Sequence, residues 1–521
     1  MAKAIPDRKY VYKALLKYNY LPIGKKNPDD IPFDAFSTEG FKPKIADVLV
    51  NNYSRKRTSK NGEKVFGYDQ IEYRATRFNL VTRLMHIPHP APYARLCKRI
   101  SEHWDELEQI CQNENSRETL GKYNKSRKIL GEKRKLKQIS QMSYNKLSDT
   151  HFRLELSTGK FFRVKADISA CYPSIYTHSI PWAEKGRFKA KANSRKNRWY
   201  NQLDEAQRDV KRNETQGIPI GPATSHIVSE FILSKVDKVL QDNDFQFVRY
   251  IDDYECYCKT RKKAEKFIVL LEKELREYLL NLNSKKVLIE ELPLPFEDQW
   301  IAALKLNLPK EKKRKKKKKT LNSKDILNFT DIAVDLQKEH PDGSVLKYAT
   351  RMLASKKFGK KSIDYLLKHL IALSVHRPTV LPILCEVAKK YQKGSDLDIT
   401  PVLKQSIRFR RSDAICWCLY YLAITGQKLC HKLADKIIET GDCMSMGMLL
   451  AIKQHKNKVV KFLDDKVDPN SYYQCDQYWI LLHELTNETP SFKRYRGDSG
   501  LKFLFDNNVH FIKSIDPFSN S

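Results

Sequence analysis

Long apolar runs are missing from this chain of 521 residues: no stretch of about 18 uncharged apolar residues occurs, which argues against a membrane-spanning helix. The N-terminal MAKAIPDRKYVYKALLKY has no apolar centre of signal-peptide length. The eleven cysteines form an odd set with no CxxC spacing, so neither a disulfide framework nor a zinc finger is expected. Cys256 and Cys258, and Cys416 and Cys418, read as packed thiols in a strand and a helix. No Walker loop and no HExxH is present, and no second carboxylate set follows in the C-terminal part to suggest an attached nuclease. Acidic residues are also short: 62 Asp and Glu face 96 Lys and Arg, a formal charge of +34 that directs the chain toward a polyanion. These features predict a soluble, cytoplasmic protein with no membrane partner and with nucleic acid as its leading partner.

At this length more than one domain is expected, and 41% hydrophobic residues suffice for real cores. The first 300 or so residues mix strand-like runs with amphipathic helical stretches, the texture of an α+β domain. Beyond residue 325 helical stripes take over, as in Ile363, Leu366, Leu367, Leu370 and Ile371, or Val380, Leu381, Leu384, Val387 and Ala388, with Gly394, Gly426 and Gly441 as breakers. The reading is a domain over 1–305, a lysine-rich segment over 306–324, and an all-α, HEAT-like helical domain over 325–521. In the middle segment nine of the ten residues from Lys310 to Lys319 are basic, a density that must be solvated as a linker or neutralised by phosphate as a strap.

The strongest chemical signal is FQFVRYIDDYECYCK, where two β-rich runs flank Asp252 and Asp253. Adjacent carboxylates at a hairpin tip concentrate charge that a divalent cation neutralises well. Two-metal phosphoryl transfer needs a further carboxylate from elsewhere, and FFRVKADISACYPSIY supplies Asp167 after a strand-like run, with the carbonyl of Ile168 as an additional ligand and Tyr172 five residues on. Either motif alone is weak, since Asp-Asp is often a turn and a lone Asp often a helix cap. Their joint order, separation and strand context are far more specific.

Taken together, ADISACYPSIY resembles motif A of reverse transcriptases, QGIPIGPATS motif B, YIDDY motif C and LNSKK motif D. The stretches IYTHSIPWAEKG and LPLPFEDQWIAALK narrow the resemblance to bacterial Abi-type and unknown-group reverse transcriptases of phage defence, in which fingers and palm of a right hand precede a helical domain. The motif likeness covers about residues 85 to 305. It implies an RNA-directed DNA polymerase using dNTPs and Mg²⁺ or Mn²⁺. Its partners would be an RNA template or small non-coding RNA and a DNA product, and the chain would form a homo-oligomer. Synthesis would be templated, or untemplated and primed on a protein tyrosine such as Tyr10, Tyr12, Tyr18, Tyr20, Tyr472 or Tyr473.

The resemblance makes Asp167, Asp252 and Asp253 metal ligands and places Tyr172 at the steric gate beneath the incoming sugar. It sets Gln216 and Gly217 in a loop close to template and nucleotide, with Gly221 departing from the usual serine before Pro222. Lys286 becomes the general acid for pyrophosphate, although Lys285 lies beside it. Triphosphate-binding cations are expected in the fingers stretch KYNKSRKILGEKRKLK, with Arg127, Lys128 and Arg134 as candidates. Trp104 reads as core rather than as a stacking platform. A catalytically silent RNA-binding protein is the alternative from another class, opposed by the intact carboxylate triad; an RNA-dependent RNA polymerase is opposed by Tyr172 and Tyr250.

Overall fold

The computed structural model describes residues 6–21, 30–32, 34–53, 56–58, 64–77, 81–120, 140–142, 146–192, 195, 197–311, 320–341 and 344–517. Arg127, Lys128, Arg134 and the run Lys312 to Lys319 lie outside the described residues.

Ten strands occur among the described residues: β1 Lys56–Thr58, β2 Lys64–Phe66, β3 Gln70–Thr76, β4 Thr82–Pro88, β5 Glu118–Leu120, β6 Ser140–Met142, β7 Phe162–Asp167, β8 Phe247–Tyr250, β9 Asp253–Cys258 and β10 Leu288–Glu291. Six of them form three separate antiparallel hairpins, β1–β2, β3–β4 and β5–β6. The other four make one antiparallel sheet in the order β10-β7-β9-β8.

The sheet is the floor of the candidate site. Strand β9 carries Tyr254, Glu255, Cys256, Tyr257 and Cys258 after Asp253, and all five are buried. This fits a central strand covered on both faces. The helix Arg261–Glu277 packs on β7 and β9; Thr260 caps its N-terminus by accepting a hydrogen bond from the Lys263 amide at 3.2 Å. Trp104 is buried, and its indole N–H donates to the Pro6 carbonyl at 2.7 Å. Every cysteine except Cys430 is buried, and none is in a disulfide.

From Ser323 onward the chain is helical. A capping box, in which Asn322 and Asp325 satisfy each other's backbone amides, starts the first helix, Ser323–Glu339. The helices then stack so that several touch both the next helix and the next but one, the contact pattern of a two-layer helical repeat. On Lys360–His376, Ile363, Leu366, Leu367 and Leu370 are buried along one face, as their spacing predicts. The helix Ser412–Ile424 is buried all round, because β3 of the N-terminal half covers its remaining side. The protein is thus a mixed α/β domain followed by a helical region. Among the described residues no helix is long and apolar enough to cross a membrane.

One apolar core runs through both halves. The N-terminal segment enters the helical half: Ser37 N–H donates to Phe511 O at 2.9 Å, Lys513 N–H to Ala35 O at 2.8 Å, and the Tyr20 ring lies parallel to that of Trp479 with centroids 6.3 Å apart. Tyr12 and Tyr20 are therefore core residues, and the Tyr20 hydroxyl donates to Pro88 O at 2.5 Å.

Candidate active site

The register of the sheet decides which carboxylates meet. Strand β7 pairs with β9 so that Asp167 stands opposite Asp253, and β8 pairs with β9 so that Tyr250 stands opposite Asp253. Ile251 and Asp252 are left as a two-residue hairpin turn, which needs positive φ at its first position. Ile251 adopts φ +59°, a conformation that is costly for a β-branched residue. The surrounding structure holds it there. Arg249 Nη1 donates to the Ile251 carbonyl at 2.8 Å, and Ile168 N–H donates to the Asp252 carbonyl at 3.1 Å.

Arg249 is itself wholly buried between Glu230, at 2.6 Å, and Asp237, at 2.7 Å. The Tyr254 hydroxyl donates to Asp237 at 3.0 Å, and Asn113 Nδ2 donates to it at 2.6 Å. Charge-assisted, bidentate hydrogen bonds of this kind fix the orientation of the guanidinium and, through it, the turn. Nothing in the local sequence pattern singles out Arg249 for this work.

Ligand oxygens of Asp167, Asp252 and Asp253 lie within 4.8 Å of one another. Burial, followed by the charge of Asp167, raises the Asp252 carboxyl above its usual range. Partial loss of water among the clustered carboxyls, then a hydrogen bond shared with Asp167 and the neighbouring charges, pushes Asp253 up to about 7 although its side chain is still reached by solvent. The native state thus keeps a proton that the unfolded carboxyl releases near pH ~4, so the metal-free fold loses stability as pH rises from there toward 7. Two groups offset the negative charge on Asp167: Lys286 Nζ at 3.1 Å and Asn283 Nδ2 at 3.2 Å. Of the neighbouring lysines in LNSKK, Lys286 is the one in ion-pair contact with the triad. It stays 60% exposed, free to reach outward as well.

Tyr172 lies on the short helix Cys171–Ser174 directly after the Asp167 strand. Its hydroxyl is 2.8 Å from Nδ1 of His226, on the helix Ala223–Asp242, which ties the ring to that helix. The QGIPIG loop is zipped to the same turn: Ile218 N–H donates to Tyr172 O at 3.0 Å and Gly217 N–H to Ile175 O at 2.8 Å. Gln216 Nε2 reaches the carbonyls of Pro173 and Ser174, each at 3.2 Å. Gly217 has φ +82°, and a Cβ there would sit 3.0 Å from Pro173 O, so the close approach it permits is to the protein's own backbone.

Two cations that the sequence reading did not single out also lie within electrostatic reach of the triad. Arg77 and Arg83 flank the loop of the β3–β4 hairpin; the charges of Asp252 and Asp167 act on Arg77, and the charge of Arg83 acts on Asp252. The sequence signal, RATRFNLVTR, is an alternating hairpin with a basic tip and resembles many surface hairpins. A second cluster, His483, Glu484 and His510, brings ligand atoms together but is already satisfied internally. The ring nitrogens of His483 face the carbonyls of Leu501, at 3.3 Å, and Val509, at 2.6 Å, while Glu484 accepts from the amides of Phe511 and Ile512.

The family model described as reverse transcriptase (RNA-dependent DNA polymerase) matches residues 118–329. The chain carries a reverse-transcriptase domain. The match takes in Asp167, Tyr172, Gln216, Asp252, Asp253 and Lys286, begins after the β3–β4 hairpin, and extends past the motif-bearing span into the first helix of the helical region. No curated protein matches the chain. Among solved structures, apo telomerase from Candida tropicalis truncated from its C-terminal domain is 14% identical, with a TM-score of 0.30 over 44% of this chain and 51% of that one. This chain thus spans about half the length of that structure. Apo telomerase from the same organism is 12% identical, with a TM-score of 0.33 over 81% of this chain and 74% of that one. Telomerase from Candida albicans in complex with a TWJ fragment of telomeric RNA is 12% identical, with a TM-score of 0.29 over 84% and 69%. With TM-scores this low, the reverse-transcriptase domain rests on the family match.

Proposed function

We propose that this protein is a DNA polymerase of bacterial anti-phage defence that incorporates dNTPs at Asp167, Asp252 and Asp253. The observation that carries the reading is the convergence of these three carboxylates, their ligand oxygens within 4.8 Å of one another, with the Asp252 and Asp253 carboxyls raised above their usual range. A donor set of three hard oxygens suits Mg²⁺ or Mn²⁺, with the Ile168 carbonyl as a further ligand. When bound there, divalent cations would supply Lewis-acid activation of a 3′-hydroxyl and charge neutralisation at the departing pyrophosphate.

The chain's own residues do the rest in this reading. Arg77 and Arg83 bind the triphosphate, Lys286 delivers a proton to the pyrophosphate oxygen, and Tyr172, braced by His226, closes the space that a ribose 2′-hydroxyl would need. Gln216 and Gly217 fix the Tyr172 turn against the nucleotide side of the palm. The defence role rests on the likeness of IYTHSIPWAEKG and LPLPFEDQWIAALK to the phage-exclusion enzymes, and with it come synthesis on an RNA template, or untemplated synthesis primed on the protein itself, and self-assembly.

The test is incubation of the purified protein with each labelled dNTP or NTP and Mg²⁺ or Mn²⁺, with and without RNase pretreatment, resolved on denaturing gels before and after proteolysis. Incorporation of dNTPs is expected, and Tyr172→Ala is expected to admit ribonucleotides by at least about tenfold more than the parent, about 1.4 kcal/mol of steric exclusion relieved at the 2′-hydroxyl. Unchanged discrimination would place the gate elsewhere. Absence of any incorporation, with the RNA partner supplied, would favour the silent RNA-binding reading.

A further inference from the structure

The helical region completes the hairpin whose arginines lie within electrostatic reach of the triad. Strand β3 pairs with β4 along one edge only, and its other edge would present open backbone groups. Side chains from the helical region occupy that edge. Ser412 Oγ accepts from Arg74 N–H at 3.0 Å, and the Asp413 carboxylate accepts from both Thr76 N–H and Thr76 Oγ1 at 2.8 Å. Nearer the start of the strand, Asp476 accepts from Asp69 N–H at 2.8 Å.

These anchors are buried. Ser412 and Asp413 open the wholly buried helix Ser412–Ile424, whose N-terminal end favours a carboxylate. The Ser412 hydroxyl in turn donates to Asp442, which caps the helix Cys443–Ala451. The hairpin's opposite edge is tied to the palm, where His86 N–H on β4 donates to Ile220 O of the QGIPIG loop at 2.9 Å. Thr76 is the last residue before Arg77 and stands opposite Thr82, the neighbour of Arg83. The helical region therefore grips the strand one residue away from the two arginines within electrostatic reach of the triad.

We propose that Asp413, supported by Ser412, is a positioning residue for nucleotide binding: across the domain junction it sets the β3–β4 hairpin so that Arg77 and Arg83 meet the triphosphate. The inference rests on the triphosphate role given to those arginines above. It makes the helical region part of the polymerase rather than an appendage for binding other molecules.

The experiment measures KM and kcat for dNTP incorporation by the full-length chain. Asp413→Ala is expected to raise the dNTP KM by about tenfold, with kcat falling less, because two hydrogen bonds to Thr76 are lost. Asp413→Asn, which keeps an acceptor for the Thr76 amide and a polar partner for its hydroxyl, is expected to restore KM to within about threefold of the parent. Thr76→Val, which removes only the hydroxyl donor, is expected to fall between them and decides the matter if Asp413→Ala does not fold. A folded Asp413→Ala or Thr76→Val protein with parental KM would overturn the proposal. Arg77→Ala and Arg83→Ala are measured alongside. If they leave KM unchanged, the triphosphate reading itself fails; if they raise it while Asp413→Ala does not, the positioning role alone fails.

Discussion

Asp252→Ala is expected to lower dNTP incorporation by roughly 1000-fold or more, which corresponds to about 4 kcal/mol of transition-state stabilisation. The substitution removes one of three clustered carboxylates whose oxygens lie within 4.8 Å of each other. It also removes a charge that burial and Asp167 make costly to hold, so the metal-free protein is expected to unfold at the same temperature as the parent or higher. The pair of measurements, rate and melting temperature, separates loss of chemistry from loss of fold. Incorporation surviving at more than about a tenth of the parental rate would end the assignment of this carboxylate to the metal site.

Arg249→Met is expected to be the most destabilising single change near the site. It leaves Glu230 and Asp237 buried without their cation, a penalty of about 3–5 kcal/mol for breaking a buried pair from one side. It also strips the Ile251 carbonyl of the donor that holds the turn at positive φ. Replacing the carboxylates together with the arginine, in Arg249→Met with Glu230→Gln and Asp237→Asn, is expected to recover much of the stability while incorporation stays low. Denaturant midpoints and incorporation rates check this. A single Arg249→Met variant as stable and active as the parent would show that the turn needs no such support.

The sequence made some parts of this arrangement readable and concealed others for physical reasons. Asp167 and the Asp252–Asp253 pair stand out because the two motifs occur together in this order and each in a strand-like context, and strand register then brings them together. The helical stripes on Lys360–His376 were equally plain, since one face is buried and the other is wet. By contrast, Ser412–Ile424 is buried on every side, and a helix without a polar face carries no periodic record of what covers it.

Contacts between distant residues were not legible at all. Asp413 and Thr76 are 337 positions apart, and no local pattern links a helix N-terminus to the edge of a hairpin. Arg77 and Arg83 were missed for the same reason: two arginines at the ends of paired strands acquire meaning only when the fold brings their charges within reach of the acidic turn. Arg249 reads as an ordinary strand residue until its two buried carboxylate partners, both on the helix Ala223–Asp242, are in view.

The most direct test of the central claim is a crystal structure of the protein grown with Mn²⁺ and a non-hydrolysable dNTP, with data collected at a wavelength that gives manganese an anomalous signal. The account predicts anomalous peaks at ligand distance from Asp167, Asp252 and Asp253, with the triphosphate running toward Arg77 and Arg83. Manganese absent from the triad, or bound only elsewhere while the nucleotide is present, would contradict it.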